Sequence, residues 1–418
     1  MSDQEVFRHP SDSALQQAAL RVYERCESLA AISCLTNGVG RYYLTPEHAT
    51  CNQRVLAWMS EAGMQTWIDA AGNCWGRWAC DNPDAQTVIL GSHLDTVAMA
   101  GKYDGILGVL SAIEVVELLK TEDVTLPFHI DVVGFGDEEG VRFGTTLLGS
   151  AAVAGRWQND WFNLTDENGV TLAEAFRQFG LNPEEIGSAN RAKDDIKAYL
   201  ELHIEQGPVL EQMGLPVGIV TAIAGARRFR FTLKGLAGHA GTVPMSMRRD
   251  PLTAAAKILT EIENLAIANS VVATVGKLEV RPAAVNVIPG ECVFTLDIRS
   301  SEDTVRDKTV SAIFAVAEAF CESSGIDLDT EEFHHADAVE CAAWLQTKIE
   351  QSLREVELPV HSLMSGAGHD AMIFGDVFDI AMLFVRCEKG ISHNPAEAVD
   401  VADVRAGLQV FARLLGNI

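Results

Sequence analysis

What this 418-residue chain has little of narrows its chemistry first. Positive charge is scarce: 32 Lys and Arg stand against 58 Asp and Glu, a net charge of −26. So acidic a chain excludes nucleic acid and anionic membrane as partners, since both are held by basic surfaces. An anionic substrate must then be met by local positive charge. Long apolar runs are missing, none reaching the roughly 18 residues of a membrane span. The start, Met1-Ser2-Asp3-Gln4-Glu5, lacks the basic and apolar stretches of a secretory signal. Cysteines number nine and show no CxxC spacing. That speaks against a disulfide framework or a cysteine zinc knuckle and for free thiols in a reducing cytoplasm. What is present is a well-folded composition, 48% apolar, on a chain long enough that two domains are the default.

The chain is organised around Gly134-Phe135-Gly136-Asp137-Glu138-Glu139-Gly140. The apolar run Phe128–Val133 before it reads as a buried strand. Adjacent carboxylates on a glycine-flanked turn repel, and each stays ionised only beside positive charge. A metal ion resolves the conflict, with Glu139 as ligand and Glu138 as general base toward an activated water.

Other segments end in the same way. The strand Thr87–Gly91 leads into His93 and Asp95, which alternation puts on one face. There the Asp95 carboxylate can take the second imidazole N–H and fix the tautomer. Asp104 precedes a helix over 106–120 whose stripe is Ile106, Val109, Leu110, Ile113, Val116 and Leu119; alone it would read as a cap. The strand Lys197–Ile204 carries Glu201 and His203, with Glu205 beyond on the same face, and residues 156–197 before it read as polar helix over the sheet. A last strand, Ala381–Val385, precedes His393. Open α/β sheets bind ligands beyond the carboxyl ends of their strands, where His93, Asp104, Glu139, His203 and His393 all fall. With Asp104 bridging, His93 and His203 serve one metal and Glu139 and His393 another. Such mixed ligation suits zinc, manganese or cobalt.

Between these segments the texture changes. Alternating Arg228–Leu233, a helix at 251–268, strands at 271–280 and 291–299 and a helix at 304–323 predict an open-faced α+β sandwich. The expected organisation is therefore a catalytic α/β domain with a mixed, mostly parallel sheet over 1–214 and 334–418, interrupted by a βαββαβ domain over 215–333. In the insert, His239, Asn286 and Arg299 are conspicuous. Past it, the glycine-rich turn Met364–Ala371 offers backbone amides at Gly366 and Gly368 that could hold an oxyanion.

Six motifs together identify a family. They are Ser92-His93-Leu94-Asp95-Thr96, Tyr103-Asp104-Gly105, Asp137-Glu138-Glu139-Gly140, His203-Ile204-Glu205-Gln206-Gly207, Gly366-Ala367-Gly368-His369-Asp370 and Gly390-Ile391-Ser392-His393. Over nearly its full length the chain resembles the hydantoinase/carbamoylase branch of the M20 metallopeptidase-like family. The resemblance implies two divalent ions per subunit, an insert that acts as lid and dimerisation domain of a homodimer, and hydrolysis of a small anionic ureido acid. It also implies that Arg299 and Asn286 hold the substrate carboxylate. His239, from the partner subunit, would stabilise an oxyanion, with Gln206, Gly366 and Gly368 completing the pocket. Dipeptidase-like relatives usually carry an acid where this chain has His203, which favours amide hydrolysis over a metallo-aminopeptidase or dipeptidase activity. Glu138–Phe143, Leu148–Gly155, Met364–Gly366 and Met382–Cys387 look like allantoate amidohydrolases, which supports that subfamily and makes allantoate, a purine catabolite, the expected substrate. N-carbamoyl-L-amino acids and N-carbamoyl-β-alanine are the alternative substrates.

Overall fold

The computed structural model describes residues 10–418, which form two compact units. The first runs to Thr221 and resumes at Glu340–Leu363 and Gly368–Ile418; the second comprises Ala222–Val339 and Met364–Ala367. The first division falls after 221, not 214, because residues 217–221 pair into the first unit's sheet. The second falls after 339, not 333, because residues 327–336 pair as one strand in the second unit.

In chain order, α1 (Asp12–Ala30) starts at Ser11 and α2 (Pro46–Glu61) at Thr45, each cap hydroxyl accepting a backbone N–H three residues on. The hairpin β1 (Gln65–Ile68) and β2 (Cys74–Trp78) leads to β3 (Thr87–His93), α3 (Ile106–Thr121), β4 (His129–Phe135), α4 (Leu148–Val153), α5 (Leu172–Phe179), β5 (Ile196–Ile204), α6 (Val209–Met213) and β6 (Val217–Ile223). The second unit holds β7 (Gly225–Lys234), β8 (Gly238–His239), α7 (Pro251–Asn269), β9 (Val272–Thr274), β10 (Leu278–Arg281), β11 (Val287–Ile288), β12 (Glu291–Ser300), α8 (Asp303–Ser324) and β13 (Asp327–Ala336). The chain then returns through β14 (Val339–Glu340), α9 (Ala343–Glu355), β15 (Ser362–Ser365), β16 (Ile380–Val385) and α10 (Val401–Asn417).

The first unit's sheet is ordered β1-β2-β4-β3-β5-β16-β6-β14, with β15 on β6. Its centre, β4-β3-β5-β16, is parallel, and β1, β2 and β6 pair antiparallel beside it. Every residue of β3 and β4 is buried, which is why these strands read as continuous apolar runs rather than alternating ones. Val88, Leu90, Ile130, Val132 and Leu200 face a core built with α1, α2, α3 and α10. The intervening positions carry Trp75, Phe135 and Tyr199, which with Phe374 form ring contacts of 4.9–6.2 Å.

α3 is buried nearly all round, at thirteen of its sixteen residues, not along one stripe. It packs against β3 and β5 on one side and α1 and α10 on the other. Gly108 lets it approach, since a β-carbon there would sit 2.2 Å from the Leu202 carbonyl oxygen. Its buried Glu114 is paired by Arg21 and Arg25 at 2.7 and 2.6 Å.

Residues 156–195 are less helical than expected. Two 3-10 turns and the eight-residue α5 are held by an aromatic cluster of Trp157, Trp161, Phe162 and Phe176. Side-chain packing, which leaves no helical period, fixes this stretch.

In the second unit the antiparallel order is β10-β12-β7-β13, with β9 also on β12. β12 alternates half-buried and buried throughout, and Phe229, Phe231, Phe294, Leu296 and Ile298 meet α7 and α8 in a separate core. The single strand expected at 271–280 is two, β9 and β10, broken around Gly276 and both pairing with β12. Among the described residues no helix is long and apolar enough to cross a membrane. All nine cysteines are free thiols.

Candidate metal centre

The first unit brings His93, Asp104, Glu139, His203 and His393 together at the carboxyl ends of its parallel strands. His93 is the last residue of β3 and His203 the penultimate residue of β5. Asp104 lies in the loop between β3 and α3, with Gly105, not Asp104, as the helix cap. Glu139 follows β4, and His393 lies in the loop beyond β16. Asp104 is the hub. One carboxylate oxygen lies 3.2 Å from His203 Nε2 and 4.0 Å from His93 Nε2; the other lies 3.1 Å from His393 Nε2. His393 Nε2 is also 3.4 Å from Glu139.

The imidazoles are oriented by the backbone. His93 Nδ1 is 3.0 Å from the Asp95 carbonyl oxygen and His203 Nδ1 is 2.9 Å from that of Ile204. With Nδ1–H donating there, Nε2 is in both rings the nitrogen turned toward Asp104. This corrects the role expected for the Asp95 carboxylate, which stands 3.7 Å from His93 Nδ1. Instead it accepts the backbone N–H groups of Glu138 and Glu139, at 3.0 and 3.1 Å. It thus holds the acidic turn in place.

Glu205, expected on the same face, turns away, because its carboxylate accepts from Val209 N and Leu210 N at 2.7 and 2.9 Å at the start of α6. Glu201 is likewise committed, to Ser92 Oγ, Tyr199 OH and Ala371 N. Gln206 does reach the site: its Nε2 donates to both Asp104 oxygens at 3.1 and 3.0 Å, and its buried Oε1 has no hydrogen-bond partner. Asp137, Gln206 and His393 all have left-handed backbones (φ 64°, 57° and 53°). Each costs about 1 kcal/mol or more outside glycine, strain of the kind that gathers at functional sites.

Burial pushes the Asp137, Glu138 and Asp370 carboxyls well up, and neighbouring carboxylates add to the effect. Burial also raises Glu139 to about 7. Asp104 goes the other way: burial would raise it, but hydrogen bonds to His203 and His393 hold it well below the usual range. The hydrogen bond to Asp104 lifts His393 to about 9. His203 also stands at about 9, its burial outweighed by Asp104. The site thus concentrates buried carboxyls around the proton-holding rings of His203 and His393, an arrangement a divalent cation would relieve.

The donor set fits such ions. His93, Asp104 and His203 form one group and Asp104, Glu139 and His393 another, the atoms within each lying within 4.8 Å of one another. Two overlapping groups are His93 with Glu138 and Glu139, and Glu201 with His203 and His369. Nitrogen and carboxylate donors in such sets could hold zinc, manganese or cobalt.

Gly368, in the first unit, lies beside Glu138: a β-carbon there would be 3.9 Å from Glu138 Oε1. The other expected residues belong to the second unit. His239 is exposed on the β8–β11 ribbon, its Nδ1 accepting from Gly241 N at 3.1 Å. Asn286 adjoins that ribbon, its carbonyl accepting from Ala240 N at 3.0 Å. Arg299 on β12 is engaged: Nε and Nη2 donate to Asp297 at 2.8 and 3.0 Å and Nη1 to the Gly366 carbonyl at 2.7 Å. Arg228, across the strand pair, shares Asp297 at 2.7 Å, and both arginines line a cavity of about 510 Å³. Glu397, Ser392 and the engagement of Asp297 escaped the sequence reading. Glu397 carried a faint signal, as the first acid after His393.

Residues 89–417 match the model of peptidase family M20/M25/M40. The chain is 42% identical to the N-carbamoyl-L-amino acid amidohydrolase of Geobacillus stearothermophilus, covering 94% of this chain and 96% of that one. It is 38% identical to the allantoate deiminase of Arabidopsis thaliana, covering 95% and 82% respectively. Among solved structures, a hydantoinase/carbamoylase-family amidase from Burkholderia multivorans matches with a TM-score of 0.91 and 30% identity, over 96% of this chain and 97% of that one.

Proposed function

The chain belongs to peptidase family M20/M25/M40, and from that premise we propose that it is a metal-dependent amidohydrolase cleaving the terminal ureido C–N bond of a small anionic ureido acid, allantoate first among them. The observation that carries this reading is the convergence of three imidazoles and Glu139 on the single buried carboxylate of Asp104. His93, Asp104 and His203 would hold one divalent cation, and Asp104, Glu139 and His393 a second. When bound, the ions supply Lewis-acid polarisation of the ureido carbonyl and lower the pKa of water.

Glu138 takes a proton from water and returns it to the departing nitrogen. Ammonia leaves, and the remaining carbamate can lose carbon dioxide. A carboxyl whose proton affinity is raised by burial is matched to that two-way transfer. Asp95 fixes the backbone from which Glu138 projects. Gln206, with an unpartnered Oε1, offers an acceptor to the ureido N–H. By the family resemblance, Gly366 and Gly368 would shape the pocket, His239 would stabilise the oxyanion from across a homodimer, and Arg299 with Asn286 would take the substrate carboxylate. For that, the Arg299 fork has to be shared with or released from Asp297. The second unit serves as lid and as the face of a homodimer, which the exposure of Ile267 (74%) and Val285 (106%) supports; a monomer in sedimentation at micromolar concentration would remove that element. A cytoplasmic location belongs to the same reading.

A second substrate reading, N-carbamoyl-L-amino acids, is favoured by the higher identity to the Geobacillus relative. N-carbamoyl-β-alanine is carried as a third substrate. Ammonia release from manganese- and zinc-loaded protein on all three ureido substrates, beside free amino-acid release from dipeptides, decides among them. Preference for allantoate is expected. Preference for an N-carbamoyl amino acid keeps the mechanism and replaces the substrate, and activity on dipeptides alone overturns the amidohydrolase reading. Glu138→Gln in the same assay should lose about 10²–10⁴-fold in turnover at unchanged metal content.

A further inference from the structure

Asp104 and His393, central to the proposed metal centre, come from loops nearly 300 residues apart in sequence, and one buried side chain ties the loops together. Glu397 is 3% exposed. Its Oε1 accepts the backbone N–H of Tyr103 at 2.7 Å and of Asp104 at 3.1 Å. Its Oε2 is 2.9 Å from Ser392 Oγ, which itself lies 3.3 Å from Asp104 Oδ2. Gly101 makes room for it, since a β-carbon there would stand 2.3 Å from Glu397 Cβ and Oε1. His393 needs such a tether: its side chain is 49% exposed and its backbone is left-handed, so neither burial nor local preference holds it.

We propose that Glu397 is a positioning residue that sets the spacing of Asp104 and His393, and thereby the affinity of the second cation position. The proposal rests on the metal reading above. Its bonds, more than its charge, carry the role, because the backbone amides and the Ser392 hydroxyl are the groups it arranges. Removing an outer partner of this kind lowers metal affinity by about 10- to 100-fold.

The test is equilibrium dialysis against buffered manganese with metal counted by mass spectrometry, alongside thermal melting. Wild type should take two ions. Glu397→Ala should keep the first and bind the second about 10- to 100-fold more weakly. Glu397→Gln keeps an acceptor for both amides and a partner for Ser392, and should stay near wild type. A folded Glu397→Ala protein holding both ions with wild-type affinity overturns the proposal, and so does a Glu397→Gln protein as weak as Glu397→Ala. If Glu397→Ala does not fold, Glu397→Asp, one methylene short of spanning both loops, should show the same weakening, and unchanged affinity there overturns the proposal. A wild type that takes no manganese overturns the metal reading and this inference with it, whereas two ions bound with wild-type affinity in every variant defeats this inference alone.

Discussion

Gly105 shows how a residue without a side chain can decide where an imidazole stands. Its backbone is left-handed (φ 71°), and a β-carbon would meet His93 ring atoms at 2.4–2.5 Å. Its N–H also lies 3.2 Å from His203 Nε2. Alanine would carry a backbone penalty of about 1 kcal/mol and would push the His93 ring off the line set by the Asp95 carbonyl. Gly105→Ala should therefore remain folded while losing most of its metal affinity, read by metal counting and by circular dichroism on the same sample. If the variant binds two ions as wild type does, His93 has no part in holding them.

At the scale of elements, β3, β4, β5 and β16 were readable because they are long, apolar and end in ionisable residues. Buried α3 misread as a stripe because the sequence shows apolar positions without showing that α1 and α10 cover its other side. The Arg299–Asp297 pair lies two residues apart on one face of β12, and the sequence does not show whether such alternate side chains meet each other or a ligand. α2 adds a titrating group that no pattern announces. His48 is fully buried, accepts from Leu44 N through Nδ1 at 3.0 Å and leaves Nε2 without a partner. Burial, helped by Arg41, lowers it to about 3 from 6.5. A histidine depressed on folding stabilises the fold above its unfolded pKa, and that stability is lost as pH falls from about 6.5 toward 3. The slope is about 1.4 kcal/mol per pH unit. Urea unfolding at pH 7 and pH 5 should show a smaller loss for His48→Gln than for wild type. Parallel losses would mean that His48 protonates in the folded chain.

Over the whole molecule the acidic balance and the metal centre are linked. A net charge of −26 opposes compaction, and the buried carboxyls of Asp95, Asp104, Asp137, Glu201 and Asp370 concentrate that cost in the first unit. Bound cations should stabilise the fold by mass action, about 2.7 kcal/mol for an ion present at 100 times its Kd. Protons oppose them. His203 and His393, raised to about 9, stabilise the cation-free fold fully below about 6.5, and that contribution is lost as pH rises toward 9. Cation binding needs both rings deprotonated, so its own contribution grows over the same interval. The difference in Tm between manganese-loaded and chelated protein should therefore widen from pH 6 to pH 8. It should shrink when Asp104→Asn removes the hub on which both cation groups depend. Equal melting temperatures with chelator and with manganese at every pH would show that the carboxyl cluster is neutralised by its own protons and histidines, leaving no cation demand for the fold to express.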